Sequence, residues 1–359
     1  MRITLILVAL ISRLHIFNIM KKFLLPIVLF ILLFSSCATK TNEKELSDTN
    51  LIDAGNDTIL LAFNERIKKN PNDPEVYHER ALYYFEQKND IEQAFADMRR
   101  VFTIDTTTSK YFVTLADLYL AKGMSGNVKA SLNKAIETDP KNIIAYTKLA
   151  ELNLYIKDYN ACLKAADDVL KIDIYNPRAY FIKGMAFKEL GDTAKAVSSF
   201  QTVVEQDPEY YNAYIQLGLL YSAIKNPLAL DYLNNALNLQ PQSIEAYYAI
   251  AMFFQETGNT NKAIEVYNTI LKIDSTYNDA HFNLGYIAMV MQDDIPKAIK
   301  HFTENIKFHP NNYEAFYMRG LCYQRINDKA SAERDYREAL RLYPQYDNAA
   351  IALGNLIDK

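Results

Sequence analysis

From about residue 57 onward, apolar residues fall three and four positions apart in short stripes, each separated by a polar break. That spacing predicts one buried face on each of a long series of short helices. The stripes come in pairs with a fixed period. Small residues recur at Ala81, Ala116, Ala150, Gly184, Gly218, Ala251, Gly285, Gly320 and Gly354, at intervals of 33–35 residues. Four positions before them stand Tyr77, Phe112, Tyr146, Tyr180, Tyr214, Tyr247, His281, Phe316 and Ala350. The second stripe of each pair repeats too, with Ala94, Val128, Cys162, Ala196, Ala229, Ala263, Ala298 and Ala332 followed four positions on by Met98, Leu132, Ala166, Phe200, Leu233, Tyr267, Phe302 and Tyr336. Each period therefore predicts a helical hairpin. The small residue lets two helix axes approach, and the bulky residue fills the neighbouring gap. Periods close on ETDP, EQDP, NLQP, KFHP and RLYP, where proline is expected to stop the second helix. One hairpin cannot bury both of its faces, so neighbours must stack.

The segment YIQLGLLY, Tyr214 to Tyr221, fits an aromatic-x2-Leu-Gly-x2-Tyr pattern and resembles the tetratricopeptide repeat family. The resemblance covers residues 72–344 as eight units. Its departures are the absence of Trp, His281 and Ala350 in aromatic slots, and Asn305 where a small apolar residue is usual. It implies an all-α fold, a right-handed α-solenoid of about eight hairpins. A helix over 57–71 would lead in, and one over 345–359 would cap the array with a polar outer side. It also implies a binding role for the concave face. By the family's register the inward positions include Phe181, Met185, Ile215, Leu219, Tyr248, Met252, Phe282, Tyr286, Met289, Tyr317, Met318 and Leu321, bordered by Glu245, Asp279 and Glu314. Met and aromatic side chains make an adaptable surface for helical or extended peptides. The alternative is that many of these side chains pack against the paired helix. Inward basic residues, Lys110, Lys148, Arg178, Lys188 and Arg325, are scattered among acids. That pattern disfavours the basic clamp some relatives use for carboxylate-ended peptides.

Upstream, Lys21 and Lys22 precede an uncharged run whose apolar part, Phe23 to Phe34, contains Pro26 and leads through Ser35 and Ser36 into Cys37, as LFSSC. A spanning helix needs roughly 20 apolar residues and a signal-peptide core about 7–15. Residues 1–36 are thus expected to be a signal peptide, with translation starting at Met20. The order of parts resembles a bacterial lipoprotein signal, which implies lipidation of Cys37. Residues 37–50 are polar and free of aromatics, the composition of a flexible tether, which is expected over 37–56. The resemblance implies a location in the bacterial cell envelope, on the outer membrane.

Composition narrows the remaining choices. The formal net charge is −4, which argues against nucleic acid as a partner. The three cysteines, Cys37, Cys162 and Cys322, show no C-x-x-C spacing, so neither a disulfide framework nor a zinc site is expected. Cys162 and Cys322 are read as packing residues. His15, His78, His281, His301 and His309 do not form the i, i+4 pair of a zinc-binding helix. No phosphate loop or nucleophile elbow occurs, so neither metal, cofactor nor catalysis is expected. The sequence points to a non-catalytic, lipid-anchored scaffold for a protein or peptide partner, with a glycan- or nutrient-binding lipoprotein as the alternative.

Overall fold

The computed structural model describes residues 57–357, and among these every regular element is helical. There are 18 helices: α1 (Thr58–Lys69), α2 (Pro74–Glu86), α3 (Ile91–Ile104), α4 (Ser109–Ala121), α5 (Ser125–Thr138), α6 (Ile143–Tyr155), α7 (Tyr159–Ile172), α8 (Pro177–Glu189), α9 (Thr193–Gln206), α10 (Tyr211–Ala223), α11 (Leu228–Leu239), α12 (Ile244–Glu256), α13 (Thr260–Ile273), α14 (Asn278–Val290), α15 (Ile295–Phe308), α16 (Tyr313–Arg325), α17 (Lys329–Leu342) and α18 (Asp347–Ile357). The chain divides inside α6 into two units, unit 1 ending at Lys148 and unit 2 beginning at Leu149. Cys37, the signal segment and the tether lie outside the described residues. No described helix is long and apolar enough to cross a membrane.

Hairpin starts and stops follow from local chemistry. Asp73, Asp90, Asp158, Asn176, Asp192, Ser243, Asp294, Asn312 and Asp328 each cap a helix by accepting from a backbone N–H in its first turn, satisfying a donor the helix cannot. The ends of second helices differ from expectation. At Asp105, Asp139, Asp173, Asp207 and Asp274 the side chain accepts from the N–H two residues on, at 2.6, 3.0, 3.1, 3.0 and 2.9 Å. Only Asp139 and Asp207 precede proline. The aspartate turn is therefore the stop at these five ends, because it offers the chain a local alternative to the next helical hydrogen bond; proline follows it at two of them and stands without an aspartate after Gln240, His309 and Tyr343.

Within each hairpin the two helices join through one left-handed residue: Asn89, Gly123, Lys157, Gly191, Lys225, Gly258, Asp293 or Asn327. Lys225 sits at φ 54°, a conformation that costs a residue with a Cβ about 1–2 kcal/mol. Replacing Lys225 by Gly should raise stability by about 1 kcal/mol, since glycine removes that strain but adds unfolded-state freedom; a thermal melt reads it, and a lowered midpoint would contradict it.

In unit 1, α2 packs on α3 and α4 on α5 around Tyr77, Ala81, Met98, Val101 and Leu118. Two buried polar sites lie within that core. Arg80, 1% exposed, donates from Nε and Nη2 to Asp97 at 2.8 and 2.6 Å, and from Nη1 to Asn64 at 2.9 Å. His78 Nε2 lies 2.8 Å from Thr114 Oγ1.

In unit 2, the hairpins α8/α9, α10/α11, α12/α13, α14/α15 and α16/α17 follow one another, each packed on the next. The small-residue slots do what their spacing implies. A Cβ at Gly184, Gly218, Gly285 or Gly320 would lie 2.6, 2.5, 2.9 or 2.6 Å from Phe200, Leu233, Phe302 or Tyr336. Those glycines exist because the bulky residue of the second helix fills the whole gap. The end helix α18 departs from the expected polar cap: Ile351 and Ile357 face outward, and a Cβ at Gly354 would meet nothing within 4 Å.

Candidate functional site

In unit 2 first helices of neighbouring hairpins touch, α10 with α12 and α14 with α16. The sequence-predicted groove residues all lie on the first helices α8, α10, α12, α14 and α16, and the structure sorts them into two sets. Ile215, Tyr248 and Met289 are buried, 1%, 4% and 5% exposed, and are corrected here from binding to packing roles. Tyr248, and the partly buried Phe181 and Tyr317 at the same repeat position, share one packing arrangement. Phe181 sits between Phe200 (ring centroids 5.4 Å) and Tyr210 (5.1 Å), Tyr248 between Tyr267 (6.1 Å) and Tyr277 (6.0 Å), and Tyr317 between Tyr336 (6.0 Å) and Tyr346 (5.2 Å). Each is wedged between the bulky residue of its own second helix and a tyrosine of the following linker, an arrangement aromatic quadrupoles favour. Phe282 rests similarly on Phe302 at 5.6 Å. Asn283 donates to the Tyr248 hydroxyl at 3.2 Å.

The second set stays half-exposed: Met185, Leu219, Met252, Tyr286, Met318 and Leu321. These come from one position of the repeat, with Met318 three residues before Leu321, and they form a line of flexible apolar side chains across consecutive hairpins. Met252 accepts a hydrogen bond from the Tyr267 hydroxyl, 3.1 Å to the sulfur. Glu245, Asp279 and Glu314, half-buried, open the same helices. Burial pushes the Glu245 and Glu256 carboxyls up, with Tyr211 and Lys188 opposing at Glu245 and Lys225 at Glu256. Burial also pushes the Lys188 ammonium down, and its Nζ donates to Gln216 at 2.7 Å. This strip is desolvated and acid-leaning, so an opposite charge brought by a ligand would meet little competition from water.

The five inward basic residues are all engaged by side chains of neighbouring hairpins. Lys110 pairs with Glu75 at 2.6 Å and Lys148 with Asp117 at 2.7 Å in unit 1, and Arg178 pairs with Glu151 at 2.7 Å and Arg325 with Asp293 at 3.3 Å in unit 2. Lys188 completes the set through Gln216. These side chains stitch hairpin to hairpin, and they do not converge on one point as a carboxylate clamp would require.

Two of the unit 2 histidines bond to the backbone. His281 Nε2 lies 2.9 Å from the Ser275 carbonyl and His309 Nε2 2.9 Å from that of Thr276. Among the described residues no three His, Cys, Asp or Glu side chains are grouped as metal ligands. His301 has its pKa lowered to about 4 by burial, reinforced by His281, Lys297 and Lys300 against Glu304. Its folded pKa lies below the unfolded value near 6.5, so the stability contributed by the neutral ring is complete above pH 6.5 and is lost as pH falls towards 4. The full shift corresponds to roughly 3 kcal/mol, which solvent screening of a half-buried ring reduces to about 1–2. A His301→Gln variant should show a flatter dependence of melting temperature on pH between 6.5 and 4; an unchanged slope would contradict this reading. Cys162 and Cys322 are buried free thiols, both pushed up to about 12 by burial, and are therefore unreactive.

Residues 109–142, 177–210 and 244–277 match one model of the tetratricopeptide repeat, and residues 313–346 match another. Those four segments thus match the tetratricopeptide repeat. Among solved structures it is similar to a tetratricopeptide repeat protein from Parabacteroides merdae, 17% identical, covering 69% of this chain and 98% of that one, with a TM-score of 0.51. It is also similar to the C-terminal part of a repeat protein from Cytophaga hutchinsonii, 22% identical, covering 61% and 91%, with a TM-score of 0.51. Among curated proteins it is 22% identical over 294 residues to the human Protein O-mannosyl-transferase TMTC3, covering 80% of this chain but 32% of that protein. It is 21% identical over 274 residues to Anaphase-promoting complex subunit 3 of Schizosaccharomyces pombe, covering 76% of this chain and 41% of that one. The chain spans less than half the length of these curated relatives, and the activity in the first one's name stays with that protein. Tetratricopeptide repeats generally mediate protein–protein interaction.

Proposed function

We propose that the chain is a non-catalytic scaffold, held at a bacterial envelope membrane through Cys37, that captures a protein or peptide partner on the first-helix face of unit 2. The observation that carries the capture site is the line of half-exposed Met185, Leu219, Met252, Tyr286, Met318 and Leu321 flanked by Glu245, Asp279 and Glu314. Methionines conform to varied apolar side chains, and the acids favour a partner that alternates apolar with basic residues. The rigid aromatic wedges beneath hold the strip in place, so binding energy is not spent on ordering it. Anchoring rests on the order of charged, apolar and small residues that ends at Cys37.

The test pairs two comparisons in native membranes. Joint replacement of Met252, Tyr286 and Met318 by Ala should lower recovery of the partner at least about tenfold, a loss of about 1.4 kcal/mol or more, while helical content stays unchanged. Undiminished recovery would remove the strip from the account. Separately, Cys37→Ala should abolish acyl labelling, and persistent labelling would remove the anchor.

A further inference from the structure

Charge in the last hairpins of unit 2 is sorted by helix. The second helices α13, α15 and α17 together carry nine Lys and Arg against five acids, whereas the first helices α12, α14 and α16 carry two against four. The sorting is sharper at the surface. Of the five acids, Asp335 is buried and held by Arg319, Glu304, Glu333 and Glu338 are half-buried, and Glu265 alone is exposed. All but one of the nine cations are exposed. Lys307, Arg337 and Arg341 each pair with an acid one turn away on their own helix. Lys262 instead lies over the Phe254 ring at 5.3 Å, and Arg334 donates to the Ser331 hydroxyl at 3.2 Å, with Asp328 beyond it. Lys272, Lys300 and Lys329 are exposed and enter no ion pair among the described residues. The same three helices are nearly bare of apolar anchors, since their one large exposed apolar side chain is Ile273, at the end of α13.

That combination selects the partner. A protein is held by apolar and aromatic side chains at the centre of its interface, and this face offers none there. Lys and Arg with few exposed acids among them are attracted by the negative surface potential of an anionic membrane. Nucleic acid, the other extended polyanion, suits a chain of formal net charge −4 poorly. We propose that the exposed side of α13, α15 and α17 rests on anionic phospholipid headgroups. The proposal takes from the Cys37 reading only that a bilayer lies within reach. Acyl chains and a basic patch are two signals that hold a protein to a membrane together. With the second helices on the headgroups, Met252, Tyr286 and Met318 on the first helices are left open to a partner.

The test uses the full chain carrying Cys37→Ala, which leaves no thiol to acylate at that position, in co-flotation with phosphatidylcholine vesicles made with or without phosphatidylglycerol. Any contribution of the apolar segment Phe23 to Phe34 is common to both vesicle types and to every variant. At about 0.1 M salt, charges more than about 10 Å from the headgroups are screened. There the bound-to-free ratio should rise at least about tenfold with phosphatidylglycerol, and the gain should fall as more salt is added. Joint replacement Lys272→Glu, Lys300→Glu and Arg334→Glu should remove the gain while helical content stays unchanged. Lys129→Glu, Lys141→Glu and Lys157→Glu together change the net charge equally at exposed positions elsewhere, and should leave the gain within about twofold. Three results would overturn the proposal: no gain with phosphatidylglycerol, an equal loss in the two triple variants, or, phosphate for phosphate, tighter binding to duplex DNA than to the vesicles, which would make nucleic acid the partner. Acyl labelling of Cys37 is measured separately on the wild type, so the anchor and the basic face can fail independently.

Discussion

Replacing Arg80 by Met should remove about 3–5 kcal/mol of stability, the cost of leaving a buried charge without its partner. The expected loss is large because Asp97 has almost no access to water: it is 4% exposed, and the guanidinium grips both of its oxygens. Methionine fills much of the arginine's volume but leaves the carboxylate facing apolar atoms, and it also deprives Asn64 of its donor at 2.9 Å. The second substitution, Asp97→Leu in the Arg80→Met background, should restore most of the loss, because a buried ion pair exchanged whole for apolar residues is close to neutral. Chemical denaturation of the two single variants and the double variant measures this. If Arg80→Met alone cost less than about 1 kcal/mol, in the range of an exposed pair, the pair would not be the buried tie described. Arg319 and Asp335 form the same bidentate tie in the hairpin α16/α17, at 2.7 and 2.9 Å, but Arg319 is more exposed there and its loss should cost less.

The second large effect is a matched pair of glycine substitutions. Gly184→Leu should destabilise by about 3 kcal/mol, since overpacking a filled gap typically costs 1–3 kcal/mol and here the new Cβ alone would fall 2.6 Å from the Phe200 ring. Gly354→Leu, the same change in the same slot of the repeat, should be neutral or slightly stabilising: it gains up to about 0.8 kcal/mol of helix propensity and meets no atom within 4 Å. Thermal melts of the two variants compare slot with slot. Equal losses at both positions would show that the glycines are not there to admit the bulky residue of the second helix.

The fold was legible because one physical requirement repeats. Small residues at Gly184, Gly218, Gly285 and Gly320 and bulky ones at Phe200, Leu233, Phe302 and Tyr336 recur at a period close to 34 residues, and no other packing needs that pairing. The stop signals were legible only in part: proline drew attention, while the aspartate before it, at Asp139 and Asp207, forms the turn that also serves Asp105, Asp173 and Asp274, where no proline follows. The Arg80–Asp97 tie was missed, although the sequence carried its sign. Arg80 and Arg319 each precede a small slot, and Asp97 and Asp335 each precede a bulky one.

The binding strip was harder to read, because an inward position on the first helix is open to either a ligand or a neighbour. Phe181, Tyr248 and Tyr317 are wedged by Tyr210, Tyr277 and Tyr346, each 29 residues further on. That interval was visible, but its meaning depends on where a linker passes over the helix, which hydrophobic periodicity does not encode. Ile215 and Met289 were lost for the plainer reason that apolar stripes are more often core than surface.

A photo-crosslinking amino acid placed at Tyr286, and separately at the exposed Glu265 on the second helix of the preceding hairpin, tests the central claim most directly. In native membranes the Tyr286 position should yield a discrete crosslinked protein band and the Glu265 position should not. Crosslinking at Glu265 with none at Tyr286 would contradict it, placing the partner on the opposite helix layer.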